Sequence, residues 1–305
     1  MRKAQFIQAD VFTDSPFGGN PVVVIPNAGD MSPDQMQRVA RGMSHAETSF
    51  VVPATDPRAV FGLRCFTPTT EVVYSAHQLL GTAYVMAQIG ALDVTGGRAE
   101  ATVQIGDELR PIQLRRGKGA GTTHVATEVV AAEVLGPVDP AHYHRIAAAL
   151  TLDPSQVAST SLPPTLVRTG LTCLIVPLAS LYTVRDLLPV GQAVEDLLHD
   201  FGAGCLLAFC RETLAARNHV HVRVFAPPLG IDEDPATGSA NGALGAYLLH
   251  LGMLTGRRPY ALRCEQGYEM GRPSLVEVEI DPEGEPPTIR VGGNVVHSVE
   301  GTVFY

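Results

Sequence analysis

The residues best able to do acid–base chemistry stand at two helix entries and one strand entry. The first entry is Glu233-Asp-Pro-Ala-Thr-Gly-Ser239. Asp234 before Pro235 reads as an N-cap followed by proline at the first helical position. Thr237, Gly238 and Ser239 then fall in or near the first turn. Free backbone N–H groups and the positive end of the helix dipole favour an anion there. Gly238 lets that anion approach the backbone closely. An ordinary cap accounts for Asp-Pro alone, whereas a carboxylate-binding helix end accounts for the whole run. His77 stands at the second helix entry. Glu47 follows Ser44-His45-Ala46 and precedes the strand Thr48-Ser-Phe-Val51. A carboxylate at a strand entry is ordinarily a solvated turn residue. Directed into a cleft, its carboxyl would be desolvated, raised in pKa and suited to carry a proton both ways.

Other chemistries find little support. His219 and His221 alternate on a presumed strand, and His142 and His144 have the same spacing, but neither pair has a third ligand nearby, so no metal site is expected. Gly-x-Ser-x-Gly is missing, which argues against a serine hydrolase of the usual elbow type. The glycines of Arg115-Arg-Gly-Lys-Gly-Ala-Gly-Thr122 do not match a phosphate loop and read as a linker or hairpin turn. Gly202-Ala-Gly204 lacks the third glycine of a dinucleotide fingerprint. The five cysteines are odd in number and contain no Cys-x-x-Cys, which fits inert thiols in a reducing cytoplasm.

The elements that must position these residues are legible in outline. The chain has 305 residues, 45 % of them hydrophobic, enough for two modest domains or one large one. Its net charge of −9 disfavours nucleic acid, since no basic stripe exists to neutralise phosphates. The pattern is α+β. Strands are expected at Val22–Ile25, Thr48–Val52, Ala59–Phe66, Cys205–Phe209, His219–Phe225 and Leu275–Ile280. Helices are expected at Ser32–Arg41, with Ser32 as N-cap, and at Ala141–Leu150 and Val184–Leu198. Residues 72–92 and 236–256 carry no Asp, Glu, Lys or Arg. Their His, Asn and glycine content, with no basic flank, favours central buried helices over membrane spans.

An internal repeat ties these pieces together. Phe66-Thr-Pro68 recurs as Phe225-Ala-Pro227, Gly81-Thr-Ala-Tyr84 resembles Leu244-Gly-Ala-Tyr247, and Ile89-Gly-Ala-Leu92 resembles Leu251-Gly-Met-Leu254. Their spacing is nearly constant, as two copies of one unit with loop insertions would give. The repeat overlays His77 on Ser239 or Ala240 and Glu71 on Asp234. It implies two pseudo-symmetric lobes, each a curved, mostly antiparallel sheet wrapped around one buried helix. The lobes are expected to be residues 1–117 with 290–305, and 118–289. A cleft between them would be the natural pocket.

The chain resembles the phenazine-biosynthesis PhzF-like family of the diaminopimelate epimerase-like fold. The likeness runs through Asp10-Val-Phe-Thr, Phe17-Gly-Gly-Asn-Pro21, Glu47-Thr-Ser-Phe-Val51, Phe66-Thr-Pro-Thr-Thr-Glu-Val72 and His77 to Ala83. It continues through Glu233-Asp-Pro-Ala-Thr-Gly-Ser-Ala240, Gln266-Gly and Gly271-Arg-Pro-Ser274. The resemblance implies a cofactor-independent isomerase acting on a small anionic metabolite, commonly as a homodimer. It implies catalytic roles for Glu47, His77 and Asp234, and substrate contacts from Asn20, Ala76, Gly238 and Ser239. The cysteine pair of the amino-acid epimerases is missing at these positions. The family usually shows Glu-Val-Pro-Phe-Ala-Gly-His-Ala-Thr-Leu-Gly where this chain has Glu71-Val-Val-Tyr-Ser-Ala-His-Gln-Leu-Leu-Gly81. Ala76 replaces the glycine before the histidine, and Gln78-Leu79 replaces Ala-Thr, so that side of the pocket is reshaped. Isomerisation of a 4-alkyl-proline precursor in an antibiotic pathway, amino-acid epimerisation, and binding without catalysis are the alternatives.

Overall fold

The computed structural model describes residues 2–72, 75–117, 122–129 and 131–305. They form two compact units, Met1–Glu128 with Gly292–Tyr305, and Val129–Val291. Within the first unit, β1 (Lys3–Val11) pairs antiparallel with β2 (Asn20–Ile25), and β2 runs parallel to β3 (Thr48–Val52). β3 pairs antiparallel with β4 (Phe61–Phe66), which takes β5 (Glu71–Val72) antiparallel and β6 (Arg98–Ile105) parallel. β7 (Glu108–Arg116) and β8 (Thr123–Glu128) complete the meander. The first unit therefore runs beyond residue 117 to Glu128, because β8 pairs with β7. Of the glycine-rich segment expected to be a linker or hairpin turn, residues 118–121 lie outside the described residues. Its flanks, Arg116 and Thr123, are paired.

The second unit repeats this order of pairing. β9 (Glu133–Pro137) and β10 (Thr165–Thr169) precede β11 (Leu171–Pro177), which runs parallel to β12 (Cys205–Cys210). β12 pairs antiparallel with β13 (Val220–Ala226), which takes β14 (Ile231–Asp234) antiparallel and β15 (Tyr260–Gln266) parallel. β16 (Ser274–Asp281) pairs antiparallel with β15, and β17 (Thr288–Phe304) passes from this unit into the first, where it pairs with β1.

Helix α1 (Pro33–Met43) and helix α2 (Ala76–Gln88) belong to the first unit. The second holds α3 (Tyr143–Leu150), α4 (Pro154–Val157), α5 (Leu181–Arg185), α6 (Gly191–Asp200) and α7 (Gly238–His250). The stretch expected as one helix over Val184–Leu198 is two helices. Pro189 lacks an N–H and pushes Leu188 out of helical geometry, so the helix stops at Arg185 and restarts at Gly191.

Every residue from Ala76 to Ala87 of α2 is buried, and the helix packs against β1, β2, β3, β7 and β8. Alternate residues of β2 serve different layers, because a strand's side chains point to opposite faces. Val22 lies against α2, whereas Val23 and Ile25 join Met36, Val39 and Phe50 under α1. In the second unit α7 packs on β9, β10, β11 and β16, and Tyr247 meets Phe209 edge-on. Ala208 and Cys210, the neighbours of Phe209 on β12, join Ile146, Leu197 and Leu198 from α3 and α6 instead. The repeated Ile89-Gly and Leu251-Gly are the two helix ends. Gly90 (φ 80°) and Gly252 (φ 66°) take the left-handed conformation that closes each C-terminus.

Gly81 lets α2 lie on β2, since a Cβ there would stand 2.3 Å from Val22 Cγ1. Helix propensity alone would make Gly81→Ala stabilising by about 0.5–1 kcal/mol. We expect the reverse, a loss of about 1–3 kcal/mol from overpacking. Urea unfolding checks the sign through the midpoint at unchanged slope.

Candidate functional site

Each unit places one group of expected residues at the start of its buried helix. In the first unit, α1 ends at Ser44 in the left-handed conformation (φ 54°), which turns the chain toward β3. His45 fixes the turn: its ring nitrogens lie 2.9 Å from Met43 O and 2.9 Å from Gln8 Oε1. Gln8 in turn reaches the buried Asp10, whose other oxygen accepts the Phe17 N–H at 2.6 Å. Glu47 follows directly and is not a solvated turn residue, with only 13 % of its side chain exposed.

Glu47 Oε2 stands 3.0 Å from His77 Nε2, though off the line of a hydrogen bond. Ser75 is the residue before α2, and its Oγ is 2.8 Å from His77 Nδ1. Burial pushes the Glu47 carboxyl up to about 7, and the Ser75 hydroxyl partly opposes that rise. Cys65 on β4 is buried, which raises its thiol pKa, and the Glu47 charge raises it further. Ala76 is buried as the first residue of α2. Asn20 is buried where β2 begins, opposite Val11 of β1.

In the second unit the helix starts later than the sequence suggests. Asp234 is the last residue of β14, and Thr237 is the residue before α7, so Asp234 is not the N-cap. Asp234 instead accepts the Thr237 hydroxyl at 2.6 Å. The reason is Gln266 at the end of β15, fully buried and bonded to this turn on every side. Its Oε1 accepts Thr237 N–H at 3.1 Å and Asn241 Nδ2–H at 2.8 Å. Its Nε2 donates to Asp234 O at 2.7 Å and Thr237 Oγ1 at 3.1 Å. The Pro235–Ala236 turn is thereby locked outside the helix. Gly238 is buried and Ser239 half-buried in the first turn, and Ser239 O accepts the Thr169 hydroxyl at 3.2 Å. Glu233 binds the Arg223 guanidinium through both oxygens, at 2.9 and 2.8 Å.

Ser75 and Thr237 hold the same place before their helices, so the overlay of His77 on Ser239 matches the helix starts. The overlay of Glu71 on Asp234 matches β5 with β14, but Glu71 is exposed and tied to Arg64 at 2.7 Å. His219 and His221 do not share a face. His219 precedes β13 and is exposed, accepting the Arg263 N–H at 2.9 Å. His221 is buried between Glu265 at 3.0 Å and Glu269 at 3.1 Å. Burial opposes its protonation, but hydrogen bonds to Glu269 and Glu265 raise its pKa overall. Among the described residues no group of three or more His, Cys, Asp or Glu could hold a metal ion. None of their helices is long and apolar enough to cross a membrane.

Sequence reasoning missed the parts played by Ser75, His45 and Gln266. Ser75-Ala-His-Gln78 carried a usable signal, the Ser-x-x-Gln of a capping box. Gln266 carried none beyond its place in the family likeness, because its partners are far away in sequence.

These features define a sheet-rich mixed α/β protein with a buried carboxyl–imidazole pair able to exchange protons. The chain belongs to the family described as "Phenazine biosynthesis-like protein", whose profile matches residues 9–301. It is 31 % identical to the trans-2,3-dihydro-3-hydroxyanthranilate isomerase of Pseudomonas aeruginosa, over 98 % of this chain and 99 % of that one. An uncharacterized isomerase of Clostridium acetobutylicum is 28 % identical, over 97 % of this chain and 96 % of that one. Among solved structures, the Bacillus anthracis phenazine biosynthesis protein of the PhzF family matches with TM-score 0.87 and 26 % identity, covering 100 % of both chains.

Glu47 binds protons more tightly when folded than when unfolded, so its burial costs stability once it must ionise. The folded protein holds the extra proton between pH of about 4.5, the ordinary value, and about 7. Across that window wild-type stability should fall with rising pH relative to Glu47→Gln, by up to about 3 kcal/mol. Above about pH 7 the difference should be constant. Denaturant unfolding of both proteins from pH 4 to 9 measures this directly.

Proposed function

We propose that this protein is a cofactor-independent isomerase that shifts a proton, and with it a double bond, on a small carboxylate-bearing metabolite. The single observation that carries the reading is the buried Glu47 carboxyl beside His77, 3.0 Å away. A general base works best with its pKa near the working pH, and burial brings Glu47 to about 7. In the reaction, the Glu47 carboxylate takes a proton from a carbon made acidic by neighbouring unsaturation. The electron pair left behind delocalises over the substrate. The Glu47 carboxylic acid then returns the proton to a different carbon, so the formula is unchanged and no electron acceptor is required. His77 relays protons or steadies the polar groups of the substrate.

Asp234, Gly238 and Ser239 at the α7 entry offer a polar side chain and first-turn N–H groups suited to a carboxylate. Asn20 and Ala76 shape the substrate's surroundings on the first unit. The 31 % identical isomerase of Pseudomonas aeruginosa supports this class of reaction. Ala76 and Gln78, departures from the usual family pattern, favour a substrate other than the dihydro-3-hydroxyanthranilate of that relative's name. We place the activity in secondary metabolism, with a homodimer in the cytoplasm as the working form.

Two measurements test the reading. In deuterium oxide the wild type should incorporate deuterium into its substrate, whereas Glu47→Gln should bind the same ligand and incorporate none. Undiminished exchange in Glu47→Gln removes Glu47 from the mechanism. The pH profile of kcat/KM supplies the second. The base must be ionised, so activity should rise with pH and level off above about 7.

A further inference from the structure

Both ring nitrogens of His221 meet carboxylates. Nδ1 lies 3.0 Å from Glu265 Oε2, and Nε2 lies 3.1 Å from Glu269 Oε1. His221 and Glu265 stand in register on β13 and β15, and both are fully buried. Glu265 accepts three further bonds, from the Leu214 and Ala215 N–H groups at 2.8 Å and from Asn218 Nδ2–H at 2.7 Å. A carboxyl so surrounded by N–H donors is ionised, so His221 Nδ1 carries a proton. Glu269 Oε1 also lies 3.5 Å from Arg185 Nε on α5, which keeps that carboxyl ionised and places a second proton on Nε2. His221 is therefore an imidazolium. Burial alone would lower its pKa, but the bonds to Glu269 and Glu265 raise it above the ordinary 6.5. The other groups around it do not exchange protons near neutral pH. Cys210, opposite on β12, has its thiol pushed up to about 12, and Tyr268, with its ring 5.7 Å away, is raised too. Arg223, further along β13, is bound to Glu233 of β14. In the loop between β12 and β13, Glu212 accepts the Leu181 N–H, and Arg217 stays charged.

The two carboxylates hold different parts of the chain. Glu265 anchors the loop at 214–218, whereas Glu269 belongs to the turn at 267–272 that follows β15. That turn is closed by Arg272 N–H on Gly267 O at 2.9 Å and lies directly on the approach to α7. A Cβ on Gly267 would stand 2.5 Å from Pro235 O, and Gln266, one residue earlier, binds Asp234 and Thr237. We propose that His221 is a positioning residue, a proton-operated staple that holds the 267–272 turn against the α7 entry and releases Glu269 when Nε2 gives its proton to solvent. Neutral His221 keeps one N–H, and that one stays on Nδ1. Glu265 is fully buried and depends on its donors, whereas Glu269 has a partly exposed side chain and Arg185 as a second partner. The Nε2 lone pair then faces a carboxylate and repels it. Because the pKa is raised in the folded state, the staple is complete below pH 6.5 and is lost as pH rises through the folded value. Its bearing on function rests on the reading of the α7 entry as a carboxylate site, whereas the staple itself does not.

The test reads the ligand-free, full-length protein first. With nitrogen-15-labelled histidine, His221 should titrate above pH 6.5 and show the Nδ1–H tautomer once neutral. Amide exchange protection at 270–272, corrected for the intrinsic effect of pH, should drop about tenfold across the same titration, the effect of one lost hydrogen bond between charged groups. In Glu269→Gln the His221 titration should move down and the protection step should vanish. Benzoate, as a plain carboxylate probe, should bind the wild type more weakly above the His221 titration, with no such step in Glu269→Gln. A His221 titration at or below 6.5, or an Nε2–H tautomer in neutral His221, overturns the proposal, and neither measurement requires a variant to fold. Protection at 270–272 that stays level while His221 titrates also overturns it. Benzoate that binds at no pH would sink the carboxylate-site reading while leaving the staple standing.

Discussion

A carboxyl taken out of water is the constraint around which the first unit is arranged. Desolvation disfavours the charged form, and the protein compensates with a hydroxyl and an imidazole rather than with a cation. Among the described residues no Lys or Arg is bonded to Glu47, so the proton is held and not expelled. That choice separates a group poised to exchange protons from one locked in an ion pair. Arg223 and Glu233 show the other outcome: a bidentate pair, with the guanidinium also donating to carbonyls of Val184, Arg185 and Leu187. Such a pair fixes chain segments.

Keeping Glu47 in place draws on three elements at once. The left-handed Ser44 ends α1, the His45 bonds hold the turn, and the parallel pairing of β3 with β2 fixes the strand that follows. His77 is fixed from the other side by a helix buried along its length, seated on Val22 through Gly81. A rigid scaffold of this kind is what proton transfer requires, because both partners must stay within hydrogen-bond reach. The second unit uses the same order of strands for a different end. There the turn before the helix is bound by an amide, Gln266, that neither gains nor loses a proton in the physiological range.

The sequence carried the repeat, the two buried helices and the acid–base residues, for reasons that are local or periodic. A stretch without charges must be buried, and Phe-x-Pro marks a strand end wherever it occurs. Glu47 and His77 were identified by type and by family likeness, but their contact depends on sheet pairing across β2, β3 and α2. The cap at Asp234 was misplaced because Asp-Pro is a strong local signal, and Gln266, which overrides it, lies on β15. Pro189 breaks the otherwise helical run of Val184–Leu198. Long-range hydrogen bonds decided the first of these, whereas a local rule would have decided the second.

Helix α2 begins without the side-chain cap its sequence offers. A cap by serine contributes about 0.5–2 kcal/mol, and a buried amide without partners costs about 1–3 kcal/mol. Both penalties fall on one turn, in a chain that makes the same cap correctly at Ser32 and at Asp153. Local structure and global fold normally agree, and the places where they part are expected at functional sites. Here the hydroxyl lost to the cap lies 2.8 Å from His77 Nδ1. The Ser75–Gln78 turn is thus evidence about function that comes from helix physics and owes nothing to resemblance.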